Sequence, residues 1–145
     1  MRRFSAVAIL ALAAFDSQAA CSVAAMDGVW TSMSVSMVGE AHVGTCNFSV
    51  KKGQMSGTCI MQHPKDQGGD FKVNMSGDVT LLSKVISDPT FNDDGLKVCS
   101  LQMVANYQTG GASTWTIGLG NGGRGFTGSW VNGWGGEGAV TGVKQ

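Results

Sequence analysis

Only two histidines, His42 and His63, occur among the 145 residues, and they are the first places to look for proton or metal chemistry. Glu40-x-His42 sets a carboxylate and an imidazole on one face near a strand end, which is half of a metal site. His63-Pro64 opens a polar loop to Gly69, with Asp66 and Asp70 close by. A catalytic metal needs about three converging protein ligands. No spacing here gathers them, so both histidines read as exposed loop residues and no metal is expected. The run Asp88 to Gly95 has the look of a calcium loop, but counted from Thr90 its first position is Thr and its twelfth is Leu101, where acidic ligands are required. No nucleophile elbow or phosphate loop is present, because no helix follows the glycines between 118 and 138. The serines mostly alternate with apolar residues as the solvent side of strands. Catalysis is therefore not expected, an enzyme using His42 or His63 being the third and least favoured alternative, and no cofactor is expected.

Cysteine chemistry is more legible. Cys46 and Cys59 stand at mirror positions around Lys52-Gly53. A two-residue hairpin loop there pairs Cys46 with Cys59, Phe48 with Gly57 and Val50 with Met55, and makes the cysteines a non-hydrogen-bonded pair, where side chains approach most closely. That separation suits a disulfide. Cys99 is left with Cys21 as its one obvious partner, if Cys21 stays on the mature chain; an odd thiol is the alternative.

That condition arises because residues 1–19 read as a secretory signal peptide. Met1-Arg2-Arg3 is a basic start, Phe4 to Phe15 an apolar segment, and Ser17-Gln18-Ala19 a small-residue cleavage site. Cys21 after Ala19-Ala20 also raises lipidation, although Gln18 stands where lipidation sites usually carry Leu. A periplasmic or secreted location is expected, which suits four cysteines. Residues 20–145 then make one domain. Cleavage removes Arg2, Arg3 and Asp16, so the ten basic and ten acidic residues become eight and nine. With no basic stripe, nucleic acid is not an expected partner, and no membrane span is expected.

Period-two alternation dominates the rest. Met33, Val35 and Met37 alternate with Ser32, Ser34 and Ser36; Phe71, Val73, Met75, Val79 and Leu81 with polar residues, as one long strand bent at Gly77. Cys99 to Tyr107, Trp115 to Leu119, and Phe126 with Trp130 repeat the pattern, and Asn121-Gly122-Gly123 closes a hairpin between the last two. Strands are expected at 29–38, 42–51, 54–62, 70–85, 96–107, 113–120, 124–134 and 137–144. Short connections make an all-β antiparallel meander, most naturally an up-and-down β-barrel, with a β-sandwich as the alternative. Apolar-Ser/Thr-Gly recurs at Met55 to Gly57, Met75 to Gly77 and Phe126 to Gly128, placing a glycine on the inner face where strands coil sharply.

Asp27-Gly28-Val29-Trp30 resembles the Gly-x-Trp that opens the first strand of lipocalins and their relatives, and Phe126-Thr127-Gly128-Ser129-Trp130 is loosely similar to the strand openings of avidins. The resemblance implies a small calycin-type barrel. It transfers no ligand: an avidin's ring of polar biotin contacts has no counterpart here, and Lys144 stands where lipocalins place an arginine over the tryptophan. Bacterial periplasmic metalloprotease inhibitors are similar small barrels.

Two functions follow as expectations. The first is binding of a small apolar ligand in an interior lined by Met33, Met37, Phe48, Phe71, Met75, Met103, Trp115 and Trp130, with Trp134 and the 63–69 loop at candidate mouths. Trp134, in a glycine-rich loop, reads equally as a contact residue and as a cap. The second is inhibition of a secreted hydrolase, a protease or lysozyme, by the N-terminal segment or a loop on a solid core.

Overall fold

A computed structural model describes residues 21–38, 42–83 and 99–145. The expected signal peptide, Glu40 and the 88–95 loop lie outside the described residues. Eight strands, β1 (Gly28–Val38), β2 (Val43–Lys51), β3 (Gln54–Gln62), β4 (Phe71–Ser83), β5 (Cys99–Tyr107), β6 (Ala112–Gly120), β7 (Gly125–Asn132) and β8 (Glu137–Lys144), form an antiparallel meander. It closes into a barrel when β1 pairs with β8, Trp30 opposite Lys144 and Ser34 opposite Val140. Closure leaves no sheet edge unpaired. No helix among the described residues is long and apolar enough to cross a membrane.

Turn chemistry sets the register. Lys52 and Gly53 both have positive φ, 52° and 78°, as a type I′ hairpin requires. Cys46 accordingly faces Cys59 and Val50 faces Met55; the two cysteines are bridged with Cα atoms 4.0 Å apart. A second bridge joins Cys21 to Cys99. The 121–123 turn lays Trp115 opposite Trp130 and Leu119 opposite Phe126. β4 runs unbroken through Gly77, where a Cβ would collide with the Val104 carbonyl of β5. Phe48, Val50, Met55, Val79, Leu101, Met103, Ile117 and Phe126 fill the interior.

β1 runs in the opposite phase to the alternation expected for it. Met33 and Met37 are 51% and 73% exposed on the outer face with Val35, while Ser32 and Ser34 are buried inside. Trp30 fixes this choice: fully buried, it puts residues 32, 34 and 36 on its own face, and a one-residue slip would turn every side chain over. The inner face there also has to be small. The Phe126 ring occupies the space a side chain at Gly142 would need, and the Trp130 indole does the same at Gly138. Gly142 and Gly138 pair with Ser32 and Ser36 on β1. Large rings from β7 therefore lie across β8 toward β1 at Ser32 and Ser36, leaving room for serine and none for methionine at those two positions.

Candidate functional site

The two ends of the barrel differ in construction. At one end the 3-10 helix Val23–Met26 lies across the opening. Its Met26 side chain is fully buried, and the Trp30 indole N–H donates to the Met26 carbonyl at 2.7 Å. Lys144 Nζ donates to the Ala25 carbonyl at 3.0 Å and stands 5.2 Å from the centre of the Trp30 ring. The Lys52 backbone N–H donates to the Asp27 carboxylate at 2.9 Å, tying the helix to the β2–β3 turn. The Cys21–Cys99 bridge fastens the start of this segment to the start of β5. This end is plugged.

The opposite end carries the β1–β2, β3–β4, β5–β6 and β7–β8 connections, and there the interior is not filled. Inward positions near this rim carry small residues, Ser34 on β1, Gly44 on β2, Ser113 on β6 and Gly138 on β8, all buried. They leave a cavity of about 350 Å³ walled by Phe71, Val73, Met61, Trp115 and Trp130. On one wall, the Trp115 indole N–H donates to Ser113 Oγ at 2.9 Å, and Ser113 Oγ is hydrogen-bonded to the Tyr107 hydroxyl at 2.7 Å. Burial pushes the Tyr107 phenol above its ordinary value of 10.0, against a smaller downward pull from these hydrogen bonds. The Trp130 indole nitrogen is buried with no hydrogen-bond partner.

The rim brings together residues that are remote in sequence. His42 and His63 stack with ring centres 5.3 Å apart and planes within 8°. His42 also meets Trp130 at 5.0 Å, and His63 meets Phe71 at 5.3 Å. These histidines were expected as separate exposed loop residues; both are half-buried and line the cavity. Among the described residues no group of three or more His, Cys, Asp or Glu could hold a metal ion. Trp134 sits on the β7–β8 loop, which Asn132 shapes by accepting from the backbone N–H groups of Trp134 and Gly136 at 3.0 and 2.8 Å. Its indole rests on Gly111 of the β5–β6 connection, where a Cβ would collide with the ring. It is both 73% exposed and part of the cavity mouth.

No family model and no curated protein matches this chain. A solved structure described as a redesigned beta barrel is similar over 88% of this chain and 97% of that chain, with a TM-score of 0.57 at 12% sequence identity. The chain is an eight-stranded antiparallel β-barrel. At that identity the likeness concerns the fold alone.

Of the residues expected to line a ligand site, Phe71, Trp115, Trp130 and Trp134 do line the cavity. Phe48, Met75 and Met103 are instead packed in the core and stand outside its wall. Met33 and Met37, expected in the lining, instead face outward, because the buried Trp30 sets the phase of β1. The sequence reading missed Ser34, Tyr107 and Ser113 as cavity residues. For Ser113 the signal was present: it shares parity with Trp115 and Ile117, so it had to face inward.

Proposed function

We propose that this protein binds a small, mainly apolar molecule in the cavity at its open end, and that it binds rather than catalyses. The observation that carries this reading is the contrast within one barrel: a sealed, tightly filled end, and an end where small inner residues hold open about 350 Å³ between aromatic walls. That volume lies in the lower part of the range of about 300–1,000 Å³ typical of ligand pockets, so one aromatic ring with a short chain suits it. The closed eight-stranded meander, opened by Gly28-Val29-Trp30 on β1, supports the resemblance to small calycin-type barrels. The two disulfides support export to an oxidising compartment, the periplasm or the exterior.

Tryptophan fluorescence is the direct test, because three of the four tryptophans line the cavity. Titration with a panel of small aromatic and short-chain apolar compounds should give saturable quenching with one equivalent bound. A flat response across the panel would defeat the proposal.

Inhibition of a secreted hydrolase is the second reading, and it draws on the exposed Trp134 at the rim. It does not draw on the N-terminal segment, because residues 23–26 form the plug. It predicts stoichiometric inhibition of a protease or lysozyme that Trp134→Ala removes.

A further inference from the structure

The hydrogen-bonding inventory of the cavity wall narrows what it can hold, on the premise that the cavity is a ligand site. Ser113 Oγ accepts from the Trp115 indole, which can only donate. Ser113 and Tyr107 share one hydrogen bond, and either hydroxyl can be its donor. The pair has two hydroxyl protons and spends one on that bond. If Tyr107 donates, the Ser113 proton is left; if Ser113 donates, the Tyr107 proton is left. Both residues line the cavity, and Ser113 is only 4% exposed. Leaving a buried donor unmatched costs about 1–3 kcal/mol.

Over Gly138 of β8, the buried Trp130 indole N–H is a further donor without an acceptor. Among the described residues no Asp, Glu, Lys or Arg lines the cavity, so an ion held deep inside, away from the rim histidines, would lose its hydration without an opposite charge to replace it. Burial keeps the Tyr107 phenol protonated, and so able to donate.

We infer that the occupant is an uncharged aromatic or short apolar molecule carrying a hydrogen-bond acceptor, such as a carbonyl or ether oxygen, that receives the one proton left over by the Tyr107–Ser113 pair. A further polar side chain of the wall, Ser34, stands on β1, across the barrel from β5, where it can hold a second oxygen of such a ligand.

Three probes of similar size separate the possibilities: n-butylbenzene, which has no acceptor; benzylacetone, a neutral ketone; and hydrocinnamate, an anion. With the full mature chain and calorimetric titration, benzylacetone should bind about tenfold tighter than n-butylbenzene, the worth of one net hydrogen bond. Hydrocinnamate should bind more weakly than the ketone. The spare proton belongs to the pair, so Tyr107→Phe and Ser113→Ala alone should each keep most of the ketone's advantage. Losing Ser113 also frees the Trp115 indole N–H, so the variant that removes every donor of this wall is Tyr107→Phe/Ser113→Ala/Trp115→Phe, which should lose the advantage while still binding n-butylbenzene. Equal affinity for n-butylbenzene and benzylacetone in the unaltered protein would overturn the inference and leave cavity binding standing. Tightest binding of hydrocinnamate would overturn it in favour of an anion held by the rim histidines. Failure of all three probes would overturn both the inference and the binding proposal.

Discussion

The plugged and open ends of this barrel use the same residue, tryptophan, to opposite effect. Trp30 is fully buried, its ring 5.4 Å from Phe126, with its N–H satisfied by Met26 and a lysine amine over its face. Trp130 is nearly as buried but has an unsatisfied N–H and a cavity beside it; Trp134 lies exposed across a glycine. What separates them is the size and reach of their neighbours. Around Trp30 a helix, a C-terminal lysine and a phenyl ring close every gap. Beside Trp130 the inner positions of β1 and β8 carry only Ser34 and Gly138. Dense packing is concentrated at one end, and the cavity at the other.

Substitutions can break this comparison, and the largest effect is expected at the plug. Trp30→Ala should cost about 3–5 kcal/mol in denaturant unfolding, as for other buried tryptophans. Trp134→Ala should cost under about 0.5 kcal/mol, as at exposed sites, and lower ligand affinity severalfold. Equal costs at both positions would remove the distinction between the ends. Ser34→Met sharpens it from the other side: the side chain next to Met61 and Gly44 fills the cavity, at about 1–3 kcal/mol if the core must shift, and should abolish the fluorescence response to ligand. Lys144→Met deletes the cation over Trp30 and the bond to Ala25, and should cost about 1–2 kcal/mol. Its ligand affinity should stay unchanged, which a calorimetric titration checks.

The smallest effect is one of pH. Tyr107 is the only tyrosine, so its phenolate absorbance can be followed directly. Its folded pKa is raised above the unfolded value of 10.0 by burial. Its contribution to stability is therefore fully present below pH 10 and is lost as pH rises from there through the folded pKa. Phenolate absorbance should develop later in the folded protein than in urea, and Tyr107→Phe should flatten the alkaline fall in stability.

Much of this frame was legible in the sequence because turns and parity act locally. Lys52-Gly53 fixes a register, and a fixed register decides which cysteines meet. The phase of β1 was hidden, because the methionine–serine alternation points one way and Trp30 the other. Only the rings arriving from β7 show why Trp30 prevails. The histidine pair was hidden for a different reason. His42 and His63 lie on connections that share an end only because a meander returns every second loop to the same rim, a consequence of the topology rather than of spacing. The Tyr107–Ser113 pair was concealed by its residue types: a serine in a strand reads as the wet face unless its parity with Trp115 is followed.

The four tryptophans give the most direct measurement of the central claim. Indole N–H resonances of the nitrogen-labelled protein, assigned by single Trp→Phe variants, would be followed through a titration with benzylacetone. The account predicts saturable shifts for Trp115, Trp130 and Trp134, and a stationary Trp30 behind its plug. Shifts confined to Trp30, or no shift at any of the four, would contradict it.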